Sequence, residues 1–357
     1  MTEAPGRILI IRPSALGDVC RSVPVLVSLR RAFPQARIEW LVQDAFVDAV
    51  RAHPMLDAPV GFPRRELHGF WKPSVAMRAV RWMDQALRAP GYGLVIDCQG
   101  LARSGLFAWW TRAPRRVGFT DAAERGWLGY NRRHSRGSSR HVVDQMLHLL
   151  ECEGIAPVRD MRLYAPSDEL EWWRQERERR GIAARYAVFA PTSRWPSKQW
   201  PAEHWRALVP AALEAGCGQV LFVGAGSERE AVRAAMPTDP ALAARCVDLA
   251  GATRVGGLMA VIAGAAGVVA NDSAALHMAV GFARPFVAVF GPTDPAENGP
   301  YGGERWVLKG DFAECEPPLH YRDARLGDRL MRRVPPAAVA AMLARALDAG
   351  AVEAGAA

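Results

Sequence analysis

The segment Arg7-Ile8-Leu9-Ile10-Ile11 is an apolar, β-branched run. Arg12-Pro13 closes it, the small-residue turn Ser14 to Gly17 follows, and Asp18 opens an amphipathic stretch. Four apolar residues in a row read as a strand buried on both faces, as in a parallel sheet. The unit recurs. Strands are expected at 37–42, 58–62, 94–97, 116–119, 186–190, 219–223, 246–249, 267–270 and 286–290, and most lead into a segment of helical period. Asp18 to Phe33 reads as a helix that kinks or restarts at Pro24. Val255, Leu258, Met259 and Ile262 mark another at i, i+3, i+4, i+7. Residues 121–139 have no period and read as a loop. Residues 168–180 read as a charged helix on a solvated face, and 335–349 as a closing alanine-rich helix. Gly154 to Ser167 looks like a linker. A β-α pattern repeated on either side of it predicts an α/β protein with two doubly wound parallel sheets facing a cleft.

At 357 residues the chain suits two domains. No apolar run is long enough to span a bilayer, and Met1 to Gly6 does not begin a signal peptide. The cysteines (20, 98, 152, 217, 246 and 315) form no C-x-x-C pair and are expected as free, mostly buried thiols. The net charge is +8, yet Gly61 to His141 alone holds fifteen Lys/Arg against five Asp/Glu. The basic excess therefore belongs to the first half, where it would attract a phosphorylated substrate, an anionic membrane or nucleic acid.

Four turns carry candidate chemistry. In the first, Asp18 is either a helix cap or a carboxylate at a strand's carboxyl end, where open α/β sheets bind ligands. No G-x-G-x-x-G follows the first strand, which disfavours a dinucleotide there, and no Walker A sequence occurs. The second turn, Pro191 to Pro201, gathers Thr192, Ser193, Arg194 and Lys198 between a strand and a helix, a setting that suits phosphate. The third, Asn271-Asp272-Ser273-Ala274-Ala275-Leu276-His277, opens a helix with small residues that let an anion approach its N–H groups. The fourth, Gly291-Pro292-Thr293-Asp294-Pro295, with Gly299-Pro300-Tyr301-Gly302 behind it, forms a shaped loop.

Together these turns resemble the lipopolysaccharide-core heptosyltransferases of glycosyltransferase family 9, the heptosyltransferase I type most of all. The matching pieces are Ser14-x-x-Gly17-Asp18, Asp97-x-Gln99-Gly100-Leu101 with Ser104, Lys198-x-Trp200-Pro201-x-x-x-Trp205, Asp272 to His277, and Gly291 to Pro295. Two departures stand out. Ala274 occupies a position where the family usually has glycine, and the Arg- and Trp-rich segment Trp109 to Arg136 matches nothing.

The resemblance implies a GT-B fold. An acceptor-binding Rossmann-like domain would span 1–160 and a nucleotide-sugar-binding one 161–334, with a final helix, 335–357, packing back toward the first. It implies an inverting, metal-independent transfer of heptose from ADP-heptose to Kdo-lipid A, with no cofactor. Asp18 would be the catalytic base. The donor would be bound by Thr192, Ser193, Lys198, Glu228, Asp272, Ser273, Ala274, Ala275 and His277, and the acceptor by Ser14, Gly17, Arg64, Arg65, Lys72 and Gln99. The enzyme would be a monomer in the cytoplasm, peripheral on the inner membrane, with no nucleic-acid partner. The alternatives are a relative using another nucleotide-sugar or a later core acceptor, as heptosyltransferase II does, and a non-catalytic anion binder. The last would leave Asp18, Lys198 and Asp272 without a purpose.

Overall fold

The computed structural model describes residues 4–69, 72–311 and 323–355. Cys315 and the last two residues of the tail lie outside them. The chain divides into two compact units, Met1–Tyr164 and Ala165–Ala357.

The first unit holds a parallel sheet of β1 (Arg7–Ile11), β2 (Arg37–Gln43), β3 (Ala58–Phe62), β4 (Leu94–Asp97), β5 (Arg115–Phe119) and β6 (Arg132–His134). Its order is β3-β2-β1-β4-β5-β6. The apolar residues of β1 are fully buried, as their β-branched run requires. The break near Pro24 falls at Ser22, between the helices Leu16–Arg21 and Val23–Ala32. Proline is tolerated there because a first-turn N–H has no intrahelical partner. The loop expected at 121–139 contains more structure than its composition suggested. Ala123–Gly129 is a tight helical turn, and Arg132–His134 pairs with β5 as an edge strand.

The second unit repeats the plan with β7 (Tyr186–Ala190), β8 (Gln219–Phe222), β9 (Cys246–Asp248), β10 (Gly267–Asn271), β11 (Phe286–Phe290) and β12 (Val307–Lys309). Its order is β12-β11-β10-β7-β8-β9, again all parallel. One expectation is refined. The Ser167–Arg180 helix is not solvated all round, since Trp173 is buried and its Nε1 donates to the Tyr186 hydroxyl at 2.9 Å. The closing helix is Pro336–Gly355, and it lays Val339, Leu343 and Leu347 into the core of this unit, with Trp200, Trp205 and Val334.

The turn after β4 is set by Asp97, which is fully buried. Its Oδ1 accepts the N–H groups of Gln99 at 2.8 Å and Gly100 at 3.2 Å, and its Oδ2 accepts the Tyr130 hydroxyl at 2.6 Å. Burial pushes this carboxyl above its ordinary range against the pull of those bonds. Tyr130→Phe removes one donor from a buried carboxyl. It should destabilise the protein by about 1–3 kcal/mol, read as a lowered midpoint of thermal unfolding.

Candidate active site

In both sheets the strand order reverses at a neighbouring pair, β1/β4 in the first and β7/β10 in the second. Connections on the two sides of such a pair diverge, leaving a crevice at the carboxyl ends of its strands. Most of the candidate residues gather at these two places, while no contact among the described residues brings Arg65 or Lys72 to them.

In the first unit Asp18 is the third residue of the Leu16–Arg21 helix, and its Oδ2 accepts the Ala15 N–H at 3.1 Å. It therefore caps from inside the first turn. It also lies between two guanidinium groups. Arg12 Nη2 stands 3.2 Å from Oδ2, and Arg21 donates to Oδ1. Burial alone would disfavour the charged form, but Arg12, Arg21 and the Ala15 N–H more than offset it, holding the carboxyl well below the usual carboxylate range. With 23% of its side chain exposed, Asp18 remains reachable.

Gln99 joins this turn, its Oε1 accepting the Ser14 N–H at 3.2 Å. Gly17 lies within the same short helix. The Gln43 N–H donates to the Pro13 carbonyl at 3.2 Å, and Arg64 Nη1 donates to Gln43 Oε1 at 3.4 Å, so Arg64 connects to the Asp18 turn through one residue. Arg65 and Lys72 are exposed nearby in the chain, and Lys72 precedes the Pro73–Met83 helix.

In the second unit the Asp272 carboxylate is shared. Its Oδ2 accepts Lys198 Nζ at 2.6 Å and the Thr293 hydroxyl at 2.9 Å. The Ser193 hydroxyl donates to the Asp272 carbonyl at 3.1 Å. Asn271 ties the strand ends together, its Nδ2 donating to the Pro191 carbonyl at 2.8 Å and its Oδ1 accepting the Trp200 N–H at 3.2 Å. Ser273 precedes the Ala274–Gly281 helix, and its buried hydroxyl has no hydrogen-bond partner among the described residues. It therefore sits beside first-turn N–H groups, those of Ala274 and Ala275 among them, that favour an anion. His277 is buried one turn on. Glu228 Oε2 accepts the Thr192 hydroxyl at 2.9 Å and the Ala225 N–H at 2.8 Å. The grouping sets a lysine and one hydroxyl on the Asp272 carboxylate beside the first-turn N–H groups of the 274–281 helix, a setting suited to an anion.

Residues 80–326 match the sequence profile of glycosyltransferase family 9 (heptosyltransferase). The chain belongs to that family. It is 31% identical over 324 residues to lipopolysaccharide heptosyltransferase 1 of Pseudomonas aeruginosa, covering 88% of this chain and 86% of the relative. Among solved structures, E. coli ADP-heptose lipopolysaccharide heptosyltransferase II superposes with a TM-score of 0.74 at 21% identity, over 96% of this chain and 98% of that one. E. coli heptosyltransferase WaaC with ADP-2-deoxy-2-fluoro heptose gives 0.71 at 24%, over 95% and 99%. The fold is accordingly GT-B and the protein a glycosyltransferase.

For this family 9 enzyme the structure adds residues that sequence reasoning missed. Arg12 and Arg21 set the charge state of Asp18, and their spacing of six and three residues from it was the available signal. Thr293 lies within a motif already noted but without a role. The helix Ala324–Arg332 was not expected at all. A Cβ on its Gly327 would stand 2.3 Å from the Ser197 carbonyl oxygen, so only glycine lets this helix lie against the turn that carries Lys198.

A depressed carboxyl stabilises the fold above its unfolded value, near 4, and loses that contribution as pH falls. Asp18→Asn should therefore be less stable than wild type by roughly 1–3 kcal/mol at neutral pH, less than for a fully buried pair because Asp18 meets solvent. The gap should begin to narrow only below about pH 4 and keep narrowing as the pH falls further, as read by urea titration at neutral pH and across the acid range.

Proposed function

We propose that this glycosyltransferase is inverting and metal-independent, and that it moves heptose from ADP-heptose onto Kdo-lipid A, acting as a monomer on the cytoplasmic face of the inner membrane. The observation that carries the reading is the Lys198–Asp272–Thr293 cluster beside the unpartnered Ser273 hydroxyl, a setting for a diphosphate leaving group. The choice of acceptor is supported by likeness to the Pseudomonas heptosyltransferase 1. The peripheral location rests on the lipid nature of that acceptor. Among the described residues no helix is long and apolar enough to cross a membrane.

The acceptor hydroxyl attacks the anomeric carbon. The bond from that carbon to the β-phosphate oxygen breaks, and ADP leaves with the electron pair. The hydroxyl proton passes to Asp18. A carboxylate flanked by two arginines is a weak base, yet it suffices if the transfer is late. The attacking oxygen becomes strongly acidic only once its bond to carbon has formed, so little basicity is needed at that moment. The arginines keep Asp18 ionised and oriented meanwhile. Negative charge growing on ADP is met by Lys198, the Ser273 and Thr293 hydroxyls and the first-turn amides of the 274–281 helix, so no metal ion is needed for it. Asp272 holds Lys198 in place until the anion arrives. Glu228, which accepts the Thr192 hydroxyl, would take a ribose hydroxyl in this reading.

Asp18→Ala should lower turnover at least about 100-fold while ADP affinity by calorimetry stays at the wild-type value. Lys198→Ala should weaken ADP binding about tenfold or more. Both are to be measured with EDTA present, where wild-type transfer should persist. Near-normal turnover of the Asp18 variant would remove it as the base, and unchanged ADP binding by the Lys198 variant would remove the anion site.

A further inference from the structure

The segment Trp109 to Arg136, which matched no family motif, builds a distinct surface of the first unit. The Ala102–Trp110 helix and the Ala123–Gly129 turn meet through glycines. A Cβ on Gly129 would stand 1.9 Å from the Gly105 carbonyl oxygen, and one on Gly105 2.1 Å from the Gly126 carbonyl oxygen. With no side chains between them the two backbones close together, and the larger residues are left along an open groove of about 430 Å³. Leu106, Trp109 and Leu128 line it, and they are 43%, 39% and 60% exposed. Three large apolar side chains at one groove are an unusual exposure for a water-facing surface. The neighbouring Pro73–Met83 helix, joined to this one by the packing of Trp82 on Phe107, leaves Met77 and Val80 exposed as well.

The rim is mainly positive, with Glu124 as its carboxylate among the described residues. Arg125 lines the groove, the Arg112 guanidinium stacks 4.1 Å over the Trp109 ring, and Arg103 lies one turn before Leu106. Among the described residues none of Arg103, Arg112, Arg125, Arg132 and Arg133 is ion-paired with a carboxylate. The one carboxylate at the groove, Glu124, accepts the Ala102 N–H at 3.3 Å. Arg103 lies within electrostatic reach of both Glu124 and Arg64, the arginine linked through Gln43 to the Asp18 turn.

We propose that this face docks on an anionic phospholipid bilayer. Leu106, Trp109 and Leu128 enter the interfacial region, the groove receives an acyl chain, and Arg103, Arg112 and Arg125 meet headgroup phosphates. Charge complementarity and the nearness of Arg64 favour a bilayer over a second copy of the chain, whose own face would present the same positive rim. An indole beside guanidinium groups is the composition suited to a membrane–water boundary. The inference rests on the reading of a lipid-anchored acceptor and specifies the surface that meets the lipid.

The test is flotation of the full chain with acceptor-free vesicles of phosphatidylethanolamine and phosphatidylglycerol, beside vesicles of phosphatidylcholine alone. Wild type should float with the anionic vesicles and much less with the neutral ones. Leu128→Asp and Leu106→Asp should each cut flotation about tenfold, and Arg112→Glu with Arg125→Glu should do likewise. Melting temperature and ADP affinity should be unchanged in all three, which keeps a folding defect apart. Undiminished flotation of these variants overturns the proposal. So does equal flotation of wild type on neutral vesicles, or a dimer in sedimentation that Leu128→Asp dissolves while flotation persists. Because these vesicles contain no acceptor, flotation is independent of transfer. Loss of the transferase reading would show in the turnover and ADP-affinity measurements on the Asp18 and Lys198 variants and leave the vesicle result standing.

Discussion

A parallel sheet whose strands are buried on both faces has only the ends of its strands open to solvent. In this chain that constraint acts twice. β1 and β4 in one sheet, and β7 and β10 in the other, part their connections at the point where the strand order reverses. The polar side chains of the candidate site emerge there. Arg12, Asp18 and Gln99 do so in the first unit, and Lys198 and Asp272 in the second. The apolar strands, silent in the chemistry, fix where that chemistry can be.

The two ends are charged in opposite manner. At the first, one carboxylate lies between two guanidinium groups and stays ionised despite its burial. At the second, one lysine and the Thr293 hydroxyl share one carboxylate, with the Ser193 hydroxyl on the same residue's carbonyl. The first arrangement suits a group that must accept a proton without being lost to bulk titration. The second can release its cation to a competing diphosphate. Whatever each adds to stability, forming such a pair costs desolvation of both partners. Their orientation matters more.

Much of this was legible in the sequence because it resides in local pattern. Apolar runs gave the central strands, and Pro24 gave the helix break. Ser14 to Asp18, Lys198 and Asp272 to His277 stood out as turns with chemistry. What escaped depends on contacts between distant segments. Arg132–His134 is polar and short, and is a strand only because β5 supplies partners for its backbone. The Ala324–Arg332 helix has no strand or turn motif to announce it, and its place is set by the lack of a side chain at Gly327 against Ser197. The roles of Arg12 and Arg21 needed the fold to bring two guanidinium groups to one carboxylate. Asp18 itself was offered as a cap or a base, and the geometry shows the capping bond and the reachable carboxylate in the same side chain.

The central claim is that Asp18, kept ionised by Arg12 and Arg21, takes the acceptor's proton. The pH dependence of kcat for heptosyl transfer tests it most directly. A base already deprotonated well below the usual carboxylate range predicts no acid limb, with turnover level from neutral pH down to about pH 5. A limb with a midpoint between about 6 and 7 would instead point to a histidine and contradict the assignment.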